Sequence, residues 1–388
     1  MSLFFEAIFQ AVSRLFKLHW GLFFLMIALC TSGLFFIHSA TYTSDLEFLH
    51  NAANQQITWI GAGLVLFFGL SMISYRTLVD YSLWLFGGSL LLLIATLIFA
   101  HSINGSKSWL PLGPIRIQPA EFTKLAYICA LAHILLVFHD QIQSLRLLIA
   151  VAFMGLVPCA LILKQPDLGS ALVFGPITFM ALYVAGAKKR YLFLPIVAVA
   201  SIIMISYIYV YKQDRNLPLL KPYQNDRIRM FFDPSRDPRG AGWTITQSLI
   251  AIGSGGLKGK GYMKGDQNVY GFVPKNIAHN DFIFSVIGEE FGFIGGGGII
   301  IAEGFLLLCA IQIAMHASEM SGALVATGIV GMLFTHFFIN IGMTIKVVPI
   351  TGIPLPFVSY GGTFMAVCMA AMGILQSIWI ERHQRPSL

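Results

Sequence analysis

Apolar stretches long enough to cross a bilayer recur along almost the whole of this chain, and that repetition leaves few folds open. The hydrocarbon core of a bilayer is about 30 Å thick and takes about 20 helical residues. Ten such runs can be read, at residues 18–39, 55–73, 79–100, 120–138, 145–163, 168–187, 191–211, 282–315, 322–347 and 361–380. Backbone N–H and C=O groups find no water in lipid, so runs of this length must be helices. Of 388 residues, 56% are hydrophobic and 11% charged, less than half the charge of a soluble domain. The expected fold class is therefore an all-α polytopic membrane protein, a single domain over residues 1–388 with about ten transmembrane helices. The eighth run exceeds one crossing, so it must tilt, bend at the glycine run 295–298 or project from the bilayer.

Arg14 and Lys17 precede the first run, as in a signal peptide, but the run is too long and lacks a small-residue cleavage site; it reads as a retained span. Lys and Arg favour the cytoplasmic side of short loops. An inside N-terminus gathers Arg14, Lys17, Arg76, Arg146, Lys188, Lys189, Arg190, Arg382 and Arg385 there, against Lys107, Arg116, Lys164 and Lys346 opposite. Both termini are then cytoplasmic, and the long segment 212–281 is extracytoplasmic. The net charge of +7 fits contact with anionic membrane lipids and gives no warrant for nucleic acid. The five cysteines (Cys30, Cys129, Cys159, Cys309 and Cys368) all fall inside runs, with neither disulfide nor metal spacing, and read as packing residues.

Segment 212–281 combines turn residues with apolar anchors at Met230, Phe231, Phe232, Trp243, Ile245, Leu249, Ile250 and Ile252. Residues 244–252 suit an amphipathic helix at the membrane surface. Gly253, Gly255, Gly256, Gly259 and Gly261 follow, with Lys258 and Lys260 between them. Such a turn either presents N–H groups and cations to a phosphate or is a connector with lysines at headgroup level. A second outer loop, 102–119, leads into Gln118-Pro119-Ala120-Glu121-Phe122-Thr123-Lys124. Pro119 suits a helix start, which puts Glu121 and Lys124 on one face of the first turn. Charge so close to lipid marks either a functional site or a structural ion pair. Asp167 and Asp281 each stand where a helix N-cap is needed, and Asp281 can equally be a general base at the water–lipid boundary. Glu289 and Glu290 should lie about two turns deeper than Asp281, and Glu303, deeper still, should need a partner.

These pieces, taken in order, resemble the SEDS family (shape, elongation, division and sporulation), its elongation branch more than its division branch. The resemblance covers most of the chain. It rests on Gly105-Ser106-Lys107-Ser108-Trp109, Gln118 to Lys124, Gln165-Pro166-Asp167-Leu168-Gly169, Arg227, Asp233-Pro234, Asp237-Pro238 and Gly240-Ala241-Gly242-Trp243. It continues through Gln247-Ser248, residues 251–261, Asp281-Phe282-Ile283-Phe284, Glu289-Glu290-Phe291-Gly292, Asn340-Ile341-Gly342-Met343 and residues 352–362.

The family implies a peptidoglycan glycosyltransferase of the bacterial inner membrane. It uses lipid II, releases undecaprenyl pyrophosphate with inversion, and works with a class B penicillin-binding protein, a transpeptidase, and other elongation-complex proteins. Such chemistry needs a base for the attacking hydroxyl and positive charge for the leaving pyrophosphate. Asp281 matches the family's essential aspartate and is the expected base. Glu121 and Lys124 match its polar pair and are expected to line the same cavity. Arg227, Lys258 and Lys260 are candidates for pyrophosphate contact, and Trp109, Gln247, Ser248 and Gln267 for other substrate contacts. A divalent cation, Mg or Mn, can assist as a Lewis acid, although no ligand spacing marks one. The segment from Pro274 to Asp281 departs from the family's Pro-Glu…His-Thr-Asp pattern, Ser108 stands for an arginine, and Phe364 for a small residue. The face of the ninth run around Phe334, Phe337 and Phe338 either faces lipid, the favoured reading, or meets a partner. A lipid flippase and a non-catalytic scaffold are the competing readings.

Overall fold

A computed structural model describes residues 13–42, 49, 51–100, 107–113, 115–217, 222–238 and 240–383. Gly105, Ser106 and Arg385 lie outside them. The protein is a multi-pass helical bundle. Its helices are α1 (Trp20–Thr41), α2 (Ala52–Met72), α3 (Tyr75–Asp80), α4 (Ser82–Phe99), α5 (Pro119–Val137), α6 (Leu145–Lys164), α7 (Leu168–Leu172), α8 (Phe174–Val184) and α9 (Lys189–Ser206). In the second part of the chain come α10 (Pro222–Phe232), α11 (Ala241–Ser254), α12 (Asp266–Val269), α13 (Lys275–Ala278), α14 (Ile283–Met315), α15 (Met320–Thr344) and α16 (Gly362–Ile380).

Among the described residues, nine helices are long and apolar enough to cross a membrane. They coincide with nine of the ten runs. The sixth run is divided into α7 and α8 at Val173. Pro176 explains the break, because it has no N–H for the Leu172 carbonyl and its ring crowds that turn. Almost every residue of α16 is buried, against α2, α15, α5 and α14, so the last run is the axis of the bundle. By contrast, α9 buries only Leu192 and Ser206 and leaves its apolar side chains to lipid. All five cysteines are free thiols.

The excess length of the eighth run is resolved by a break in α14 at Gly292, whose φ of 63° and ψ of −156° are not helical. The interrupted backbone groups are taken up by the glycine-rich turn after α11. Lys260 N and Gly261 N donate to the carbonyls of Glu289 and Glu290, at 3.0 and 2.9 Å. Phe293 N and Ile294 N donate to the carbonyls of Gly256 and Leu257, at 2.8 and 3.1 Å. A Cβ on Gly292 would stand 2.5 Å from Gly259 N, so glycine is required both for the backbone angle and for the close approach. This turn therefore spends N–H groups on a protein backbone that the sequence left open to a phosphate.

The break also corrects the depth expected for the paired glutamates. Ser39, two residues from the end of α1, donates its hydroxyl to Glu290. Residues 283–291 thus run at the level where α1 ends, leaving 293–315 for the crossing. Glu303 lies in that crossing, fully buried, and among the described residues neither of its oxygens has a hydrogen-bond partner. The partner expected for it is not there.

Candidate active site

Gln118 precedes α5, with Pro119 in its first turn, and Glu121 and Lys124 follow on one face. Their ion pair closes at 2.7 Å, with the two residues 2% and 0% exposed. Lys124 Nζ also lies 2.8 Å from His336 Nε2, and only a neutral imidazole can accept there. Its remaining proton then sits on Nδ1, which donates to the Pro354 carbonyl at 3.3 Å. The Phe364 ring covers the cluster, 5.9 Å from Lys124 Nζ and 4.6 Å from the His336 ring centre. Where the family pattern has a small residue, this chain seals its ion pair under an aromatic ring. Glu121 and Lys124 line no open cavity in this structure.

His336 belongs to a ladder. One helical turn further along the same face of α15, Asn340 donates Nδ2 to the Ile353 carbonyl at 2.7 Å and to the Asp281 carbonyl at 3.0 Å. Both side chains therefore hold the segment 346–361, which dips back into the bundle beside α15. The same segment is tied to the approach to α14: Ser359 Oγ donates to Asn280 O at 2.6 Å and Tyr360 N to His279 O at 3.0 Å. Gln56 of α2 bonds Ser359 O and Gly361 N. The backbone of residues 279–281 is thus fixed from α15, α2 and the dipping segment together.

Asp281 is positioned by its main chain while its carboxylate stays unbonded among the described residues. Its N–H donates to Asn280 Oδ1 at 2.6 Å, and its carbonyl accepts from Asn340. The side chain is half-buried and faces Gly352, where a Cβ would stand 3.2 Å from Oδ2. Burial, and then the neighbouring negative charge of Asp167, raise its pKa from 3.8 to about 7. His279 is different: burial lowers its pKa to about 4, so the imidazole is a neutral neighbour. Asp281 does not cap α14, since Phe282 occupies the N-cap position.

Asp167 is an N-cap, for α7, accepting from Ser170 N at 3.0 Å. It also accepts from Ser170 Oγ at 2.8 Å and from Gln118 Nε2 at 2.9 Å. The cap does not exhaust its role, because its charge reaches both Glu121 and Asp281. Gln118 and Asp167 lie between the sealed ion pair and the half-buried carboxylate of Asp281.

The remaining candidates divide. Arg227 on α10 reaches the Ile350 carbonyl at 3.5 Å, two residues from Gly352, which brings a cation to the Asp281 side of the dipping segment. Lys260 is held by Glu289 at 2.7 Å and Asp266 at 3.0 Å, and Glu289 also accepts from Gln267 N at 2.9 Å. That cluster clamps the glycine turn, eight residues and about 12 Å of helix beyond Asp281. Lys258 is exposed beside it. Ser248 is buried between Ser285 Oγ at 2.7 Å and Thr344 O at 2.8 Å, joining α11 to α14 and α15, with Gln247 buried next to it. Trp109 is half-buried at the start of a hairpin of β1 (Leu110–Leu112) and β2 (Ile115–Ile117). His336 was not singled out from sequence, and Asn340 only as part of a motif. Two polar residues at i and i+4 in an apolar span were the available signal.

A family model described as "cell cycle protein", for FtsW, RodA and SpoVE, matches residues 20–384. The chain belongs to the FtsW/RodA/SpoVE family. The resemblance drawn from motifs was to this family. Over 388 aligned positions the chain is 36% identical to the peptidoglycan glycosyltransferase RodA of Treponema pallidum, covering 84% of this chain and 88% of that one. It is 34% identical to the peptidoglycan glycosyltransferase MrdB of Escherichia coli K12, over 84% and 85% of the two chains. Stage V sporulation protein E of Bacillus subtilis is 35% identical over 86% and 87%. Among solved structures, a chain from "Structural coordination of polymerization and crosslinking by a peptidoglycan synthase complex" superposes with a TM-score of 0.79 at 31% identity. That match covers 95% of this chain and 99% of the other. The rod shape determining protein RodA of Thermus thermophilus gives 0.68 at 29% identity, over 95% and 98%.

Proposed function

We propose that this member of the FtsW/RodA/SpoVE family is a peptidoglycan glycosyltransferase that polymerises lipid II during cell elongation, with Asp281 as its base. The glycosyltransferase activity is that of the RodA and MrdB relatives. The observation that carries the assignment of the base is a carboxylate fixed through its backbone, unbonded at its side chain among the described residues, with its pKa raised to about 7. A base poised near the working pH both accepts a proton and is available to do so.

In the reaction, the 4-hydroxyl of the acceptor's terminal N-acetylglucosamine attacks the anomeric carbon of the donor's N-acetylmuramic acid. Its proton passes to Asp281 as the new C–O bond forms. The bond from the anomeric carbon to phosphate breaks, and its electron pair leaves with undecaprenyl pyrophosphate. Displacement from the opposite face turns an α-linked donor into a β-linked glycan. Arg227, beside Ile350, supplies positive charge for the pyrophosphate. Glu121 and Lys124 act through His336 and Pro354 on the segment that carries Gly352, and so position the site without touching sugar.

Among the described residues no group of three or more His, Cys, Asp and Glu side chains could hold a metal ion. Asp167 is already engaged by Ser170 and Gln118. These residues do not form a metal cage, and no step here is routed through one; a Mg or Mn ion arriving on the pyrophosphate would bring most of its own ligands.

We take the basic residues Arg14, Lys17, Arg76, Arg146, Lys188, Lys189, Arg190 and Arg382 to mark the cytoplasmic end, opposite Asp281, and the membrane to be a bacterial inner membrane. The class B penicillin-binding partner is proposed to meet α15 at Phe334 and Phe338, whose rings stack at 5.8 Å while 39% and 46% exposed. The test is reconstitution with labelled lipid II, with and without that partner. Polymer that falls by 100-fold or more, on the order of a lost general base, in Asp281→Asn supports the reading. Polymer at the normal rate in that variant removes Asp281, and translocation without polymer makes the protein a flippase.

A further inference from the structure

A pocket of about 460 Å³ opens at the end of the bundle opposite Asp281, where α1 begins and α16 finishes. Phe16, Lys17, His19, Trp20, Trp379 and Arg382 shape it, and no carboxylate lines it. The nearby acids are already committed. Glu381 bonds Arg14, Arg76 and Ser74, each at 3.0 Å, and Glu319 bonds Arg76 at 3.0 Å. Arg382 is fixed over the Trp379 ring, 3.8 Å from its centre, with Nη1 donating to the Trp379 carbonyl at 2.7 Å. Among the described residues neither Lys17 nor Arg382 pairs with a carboxylate. His19 is spent on Leu22 N and Gln312.

Two cations at one mouth, neither with a carboxylate partner among the described residues, attract an anion. The frame around them is apolar: Phe16 and Trp20 are 77% and 45% exposed, at the end of a spanning helix where aromatic side chains sit at headgroup level. A free phosphate has no use for that frame, whereas a phospholipid sets its phosphate between the cations and its glycerol and first methylenes on the indoles. The positive first turn of α1 adds to the same field.

We propose that this pocket holds the phosphate of an acidic phospholipid from the cytoplasmic leaflet, bound by Lys17 and Arg382 and framed by Trp20 and Trp379. The site rests on the orientation proposed above and not on the reaction, and protease accessibility of the C-terminus in sealed vesicles tests that orientation separately.

Native mass spectrometry of the full chain in detergent, with phosphatidylglycerol and phosphatidylcholine as competing probes, measures the preference directly. Two basic side chains predict a preference of about thirty-fold for the acidic lipid. It should collapse to near parity in the double variant Lys17→Gln/Arg382→Gln and persist in Lys188→Gln/Lys189→Gln, which removes equal charge from the same face. If the double variant does not fold, exposed Lys17→Gln alone should lose about five-fold. An unchanged preference in these variants, equal loss in the control pair, or displacement of the lipid by millimolar inorganic phosphate would each overturn the proposal.

Discussion

Asp281 and Asp167 show how two carboxylates of one chemical type separate into different tasks. Asp167 accepts three hydrogen bonds from Ser170 and Gln118, whereas among the described residues Asp281 is left with an unbonded side chain and a pKa near 7. A base must be ionised to act, so turnover should rise with pH through about 7 and level off above it. Because Asp167 is one cause of the shift, Asp167→Asn, which keeps a capping side chain, should move that acid limb to lower pH. An acid limb that stays in place, measured as kcat/KM against pH, would dissociate the shift from Asp167. Asn340 makes a separate prediction. Replacing it by alanine leaves the Asp281 and Ile353 carbonyls without their donor, a cost of about 1–3 kcal/mol. The expected signature is a kcat lowered by about tenfold or more with KM little changed, since the base moves and the substrate contacts remain.

The broken α14 illustrates what an element can do that its sequence pattern does not announce. Gly292 interrupts the helix, and the glycine turn 255–261 pairs with the break as a short strand would. Gly292→Ala would force a side chain into left-handed backbone and against Gly259 N. It should destabilise the protein by more than about 2 kcal/mol. It should also release the turn, seen as faster tryptic cleavage at Lys258 and Lys260; unchanged cleavage would mean that the turn is held elsewhere. The segment 346–361 is the other such element. Its bonds to His336, Asn340, Asn280 and Gln56 make it the wall facing Asp281, although its sequence shows only a family motif at 352–362 between two spans.

For the molecule as a whole, nine of the ten expected spans could be read from apolar runs of about 20 residues, because lipid leaves the backbone no other way to satisfy its N–H and C=O groups. The family could also be read from the chain, as could a helix over 244–252, which the structure extends to 241–254. What linear order could not supply was partnership. Whether Lys260 would face a phosphate or Glu289, whether Glu121 and Lys124 would line a cavity or be sealed under Phe364, and whether Asp281 would cap α14 or stand free all depend on which residues distant in sequence arrive beside them. A charged side chain in or near a bilayer takes the nearest partner that spares it desolvation. Here those partners include His336 and Glu289, brought in from elsewhere by helix packing. The sequence by itself therefore determined a lipid-soluble bundle and its family, and through that resemblance named Asp281 as the expected base. The tertiary structure decided which charges are paired and which carboxylate keeps no side-chain bond among the described residues, because compensation in a low-dielectric interior depends on distance in space.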